Sequence, residues 1–125
     1  MKPRRFIAAS GSVPGEYITL QANGRICFSR DLIDKLKLAE GDKISFFDDA
    51  HDPKAFYLSI SDTGISPKTI KKSDKGEYYV QYGPYVRKVK DAHPGRKGTT
   101  YRLWVLTREP FKNEGHVYYK LEYRS

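Results

Sequence analysis

With 125 residues, the chain has room for one domain or two very small ones, built on a modest core. Its 38% hydrophobic and 30% charged residues argue against disorder, and no apolar run nears the ~18 residues of a membrane span. The whole formal charge of +8 resides in residues 63–125, which hold fourteen Lys and Arg against six Asp and Glu, while residues 1–62 hold nine of each.

The chain begins MKPRRFIAAS, where Arg4 and Arg5 form a basic arm and only Phe6 to Ala9 follow as an apolar run. That run is too short for the apolar region of a signal peptide. Two short strands are expected at Arg5–Ser10 and Glu16–Gln21, separated by the turn signal Pro14-Gly15. Asn23-Gly24 is a hairpin signal, since both residues tolerate positive φ, and the strand resumes at Arg25–Phe28. Ser29 is a natural N-cap for a short helix over about 30–37, with Asp31 in its first turn and Leu32, Ile33 and Leu36 on one face. Asp31 and Lys35 have the spacing of an ion pair. Gly41-Asp42 ends this segment and leads into strands at Lys43–Asp48 and Ala55–Ser61.

Turn formers and lysines fill residues 63–76, a connector with a short strand of its own around Lys68–Lys72. The cycle then repeats. Glu77–Gln81 is strand-like, and Pro84 opens a second helix over about 84–91, where its missing N–H costs little. Tyr85, Val86 and Val89 repeat the spacing of Leu32, Ile33 and Leu36, while Lys88 and Lys90 stand in the places of Lys35 and Lys37. The loop DAHPGRKGTT precedes strands at Tyr101–Thr107 and Val117–Tyr123, the latter alternating cleanly. The expected fold is therefore β-rich α+β with two tandem β-α-β-β units. They occupy residues 1–62 (with the basic arm) and 77–125, joined by the 63–76 connector and open to fusion into one domain.

The segment GRICFSRDLIDKLKLAEGDKISFFDD resembles the SpoVT/AbrB swapped-hairpin family, which includes AbrB-type transition regulators and MazE-type antitoxins. Gly24-Arg25, the apolar strand Ile26–Phe28, the small leucine-rich helix and Gly41-Asp42 match its pattern in order and spacing, over about residues 17–61. The resemblance implies a prokaryotic or phage type of protein and a small barrel of interleaved hairpins, closed either by a homodimer or by an intramolecular pseudo-dimer. It also implies a DNA-contacting role for Arg25, the residue after the turn glycine. Two departures weaken that DNA face: the family's usual proline is Ser29 here, and its helix-borne basic residues fall at Ile33 and Asp34. Arg30, Lys35 and Lys37 offer replacements, with Asp31 and Asp34 cancelling much of their charge.

The second unit restores the charge. In register with Asp34 it has Arg87, beside Lys88 and Lys90, and its loop adds Arg96 and Lys97 among glycines. If those five cations share one face, they neutralise about five phosphates, for a salt slope of roughly −4 to −5 on duplex DNA. The expected function is non-catalytic DNA binding in transcriptional control, with double-stranded DNA as the favoured partner and contacts from Arg4, Arg5, Arg25, Arg30, Arg87, Lys88, Lys90, Arg96 and Lys97. Single-stranded nucleic acid is the alternative partner. Eight of the ten tyrosines, and Trp104, lie in the basic half, and rings there offer stacking platforms as well as core. A protein-interaction or antitoxin-like module is the reading from another class.

No catalytic, cofactor or metal site is expected. His51 with Asp48, Asp49 and Asp52 reads as a solvated turn, Gly95 to Thr100 lacks the spacing of a phosphate-binding loop, and His93 and His116 have no local acid or nucleophile. The single cysteine, Cys27, excludes an internal disulfide and suits a reducing cytoplasm.

Overall fold

The computed structural model describes residues 14–61, 67–93 and 100–123. The strand expected at Arg5–Ser10 lies outside them. The first unit contributes β1 (Tyr17–Gln21), β2 (Arg25–Phe28), helix α1 (Arg30–Leu36), β3 (Lys43–Asp49) and β4 (Asp52–Ser59). The connector carries β5 (Lys68–Thr69) and β6 (Lys71–Lys72). Then follow β7 (Tyr78–Gln81), helix α2 (Gly83–Ala92), β8 (Thr100–Val105), β9 (Phe111–Asn113) and β10 (His116–Tyr123).

Local chemistry accounts for these elements. Ser29 caps α1 as its hydroxyl accepts the Leu32 N–H at 3.2 Å, and Lys37 ends the helix in the left-handed region at φ 53°. Pro84 sits in the first turn of α2, which buries Tyr85, Val86 and Val89. The carboxylate of Asp31 does not pair with Lys35 among the described residues; it accepts the Gly15 N–H at 2.7 Å instead.

The ten strands form one antiparallel sheet in the order β5-β3-β4-β10-β8-β1-β2-β7-β6, with β9 folded back on β10. Its two end strands are neighbours in the chain, separated by Ile70 alone, so the sheet curls into a nearly closed barrel. Ile70 is fully buried at this seam, and its backbone bonds both Gly41 and Asp42 across it at 2.8 Å. Hairpins from the two halves alternate around the wall. The β3-β4 hairpin is followed by β10-β8, then by β1-β2, then by β7-β6. Among the described residues, the two hairpins of the first half do not pair with each other.

The lumen is filled from both halves. Ile18, Leu20, Ile26, Ile44, Phe56 and Leu58 meet Ile70, Val80, Val86, Val89 and Leu103, all essentially without exposure. The two helices close the core, Leu32 from α1 and Val86 and Val89 from α2 being its deepest helical side chains. The Tyr85 hydroxyl donates to the Phe47 carbonyl at 2.9 Å, tying α2 to β3.

Candidate nucleic-acid interface

In an antiparallel sheet, directly opposed residues share a face. The registers Arg102↔Thr19, Thr19↔Cys27, Cys27↔Tyr79 and Tyr79↔Lys71 therefore place one row of five side chains across the outside of β8, β1, β2, β7 and β6. The intervening residues Leu103, Ile18, Leu20, Ile26 and Val80 point into the core. Arg25, two residues before Cys27 on β2, shares the outer face.

Arg25 is positioned by its turn. Gly24 adopts φ 90°, and the Asn23 side chain accepts the Arg25 N–H at 3.0 Å. The junction of β7 and α2 clasps this turn: Tyr82 N–H donates to the Gly24 carbonyl at 2.8 Å and Gln81 Nε2 to the Asn23 carbonyl at 2.6 Å. A Cβ at Gly24 would lie 2.9 Å from the Gly83 Cα, so the close approach requires glycine.

Both arginines of this face lie over tyrosine rings. The Arg25 guanidinium sits 4.0 Å from the Tyr79 ring centre, and that of Arg102 sits 4.4 Å from Tyr17. Trp104 supports Tyr17 edge-on at 5.1 Å, and Gly15 packs beneath Trp104. Each guanidinium keeps a buried Nε without an acceptor, and neither forms an ion pair among the described residues. Such stacking holds a guanidinium fork in place with its charge unneutralised.

A cleft of about 760 Å³ flanks the row. Thr19 and Cys27 form its floor, Arg30, Asp31, Ile33 and Asp34 of α1 one wall, and Lys72, Lys75 and Glu77 around the β6-β7 turn the other. Acids and bases alternate along it, so its field is mixed. Burial, helped by Glu77 and opposed by Arg25, raises the Cys27 thiol above its ordinary range. It stays a protonated thiol rather than a nucleophile.

The expected site residues separate. Arg25 and Arg30 flank the outer row, and Arg87 is exposed on α2, with its guanidinium beside Gly83 near the Asn23-Gly24 turn. Lys88 is ion-paired with Asp48 of β3, which holds that carboxyl below its ordinary range. Lys90 lies 5.6 Å from the Tyr101 ring. Arg4, Arg5, Arg96 and Lys97 lie outside the described residues.

The tyrosines also take specific places. Tyr85 and Tyr101 are core residues; burial, reinforced by Asp48, pushes the Tyr85 phenol well above its ordinary value. Tyr78, Tyr79 and Tyr82 carry Lys72, Arg25 and Lys68 over their rings.

Sequence reasoning missed Arg102, whose outward direction follows only from the register of β8. It also missed an aromatic cluster on the outside of β3, β4, β9 and β10. There Phe111 is 44% exposed and stacks on Tyr118 at 5.4 Å, with Tyr57 and Phe47 beside them.

No protein-family model, curated protein or solved structure matches the chain.

Proposed function

We propose that this chain is a non-catalytic DNA-binding protein acting in transcriptional regulation, and that it is a swapped-hairpin barrel of the AbrB type closed within one polypeptide. The alternation of hairpins from the two halves supports the fold relationship. The function rests on one observation above the rest: two unpaired arginines, each stacked on a tyrosine, on the same outer sheet face, with Lys71 ending their row. A guanidinium held this way is pre-organised for bidentate bonds to phosphate or to a guanine edge.

Duplex DNA is the favoured partner over single strands. The rings nearest the basic face are covered by the protein's own cations or buried, which leaves few ring faces for unstacked bases. Fluorescence anisotropy with matched double- and single-stranded oligonucleotides at two salt concentrations tests this. With Arg25, Arg30, Lys71 and Arg102 engaged, duplex affinity should fall with a logarithmic salt slope of about −3 to −4. Arg25→Ala and Arg102→Ala should each lose about 1–3 kcal/mol of binding. Tighter single-strand binding, or equal binding by both variants, refutes the duplex reading.

The exposed cluster at Phe111 favours a second reading, a protein-interaction module. In that case Phe111→Ser abolishes partner capture and leaves no salt-sensitive nucleic-acid binding to lose.

A further inference from the structure

We infer that the binding face is one-sided: it takes a single, oriented, non-palindromic duplex site, with its arginine half discriminating sequence and its lysine half anchoring. This rests on the duplex reading above.

One of the ladders joining the two halves of the chain is β2-β7, where Ile26 opposes Val80. Each half approaches that ladder through a turn glycine at positive φ, Gly24 at 90° and Gly76 at 86°. Each continues into a helix, and the two helices bury Leu32 and Tyr85 at corresponding positions. A homodimer with this plan would present identical residues on both wings of the face and read an inverted repeat. A single chain is free of that constraint.

Here the wings differ. After the turn glycine, the first half has Arg25 and the second has Glu77. Two strands out from β2 lies β8 with Arg102, stacked and outward. On the other wing, beyond the seam, β3 has the buried Ser45, whose hydroxyl donates to the Ser61 carbonyl at 2.8 Å. The second wing instead holds Lys71, Lys72 and Lys75, all exposed, with the acids Asp74 and Glu77 among them. From Arg102 to Lys71 the row spans four strand spacings, about 19 Å.

The chemistry of the two cations decides the roles. Arginine offers a planar fork that pairs bidentately with guanine or with phosphate, whereas lysine is a mobile point charge that attracts phosphate without reading sequence. The acids on the lysine wing weaken its attraction further and keep it from becoming a second reading head.

The test is selection of bound sequences from a random duplex library with the full chain, followed by titration of the enriched and scrambled duplexes. The expected result is an enriched motif without dyad symmetry, occupied by one chain per duplex. Arg102→Lys, with Arg25→Lys as a second variant, should reduce the preference for that motif roughly five- to hundredfold while leaving the salt slope unchanged. Lys71→Ala should weaken all duplexes alike and lower the slope by about 1. A palindromic motif, two chains per site, no motif, or equal loss of preference in the lysine variant would overturn the one-sided face and leave the DNA-binding reading standing. Failure of the wild-type chain to retain any duplex overturns both.

Discussion

At Gly15, a backbone position and an aromatic stack depend on each other. Its φ of 135° suits glycine, and an added Cβ would fall 2.3 Å from the Trp104 ring. Gly15→Ala should destabilise the protein by about 1–3 kcal/mol in urea melts, since its positive φ strains any other residue and the indole must shift to admit a Cβ. The same substitution should weaken DNA binding, because Trp104 supports Tyr17 and Tyr17 carries Arg102. His93 sets a pH dependence. Its ring lies against Tyr123 at 4.8 Å, and burial lowers its pKa below the ordinary 6.5, a hydrogen bond with the Lys54 backbone opposing the shift and the Lys54 charge adding to it. Below pH 6.5 the unfolded chain therefore takes up the proton more readily than the folded one, so stability should fall as the pH drops through that window and be level above it. Thermal melts from pH 7.5 to about pH 5 check this, and His93→Gln should flatten the profile. A profile unchanged by the substitution would place the dependence elsewhere.

Among the elements, the connector is more than a tether. It is reached by turn-rich, lysine-rich sequence, yet β5 pairs with β3 and β6 pairs with β7, and the two meet at Ile70. Those pairings complete the wall of the barrel. Ile70→Ala should cost about 2–5 kcal/mol, a core-sized loss from a residue in the lysine-rich connector. Urea denaturation measures it, and a loss below about 1 kcal/mol would mean that the seam is not part of the cooperative unit. The ion pair of Lys88 with Asp48 joins exposed partners, and such pairs contribute about 0–1 kcal/mol, so α2 is held chiefly by Tyr85, Val86 and Val89.

For the molecule as a whole, alternation of hairpins makes each half depend on the other. A fragment of residues 1–62 leaves the β1-β2 and β3-β4 hairpins without the strands that flank them. It should lack the melting transition of the full chain, and addition of a fragment of residues 63–125 should restore it. Circular dichroism melts of the fragments, apart and mixed, decide this; an unchanged transition in the first fragment alone would show that the halves fold independently. Retained charge follows the same logic of mutual cover, since several lysines of the basic half lie over tyrosines of that half rather than standing clear in solvent.

Local chemistry was enough to read most elements from the sequence: Asn23-Gly24 for the first hairpin, Ser29 for the start of α1, Pro84 for α2, and alternation for β10. These signals act between residues a few positions apart, so they survive without knowledge of the fold. Arg25 was singled out by the family resemblance, as the residue after a turn glycine. Arg102 was not, because its direction depends on pairing with Thr19, 83 positions away, and Phe111 was not, because only the fold of β9 onto β10 sets it among Tyr118 and Tyr57. The separate fates of Lys88 and Lys90 were hidden likewise, their partners lying on β3 and β8. What the sequence determined by itself was the set of elements and the segregation of charge. Which cations share a face, which rings are covered and how the barrel closes were decided by long-range strand register, because a strand's two faces are equivalent until its neighbours bury one of them.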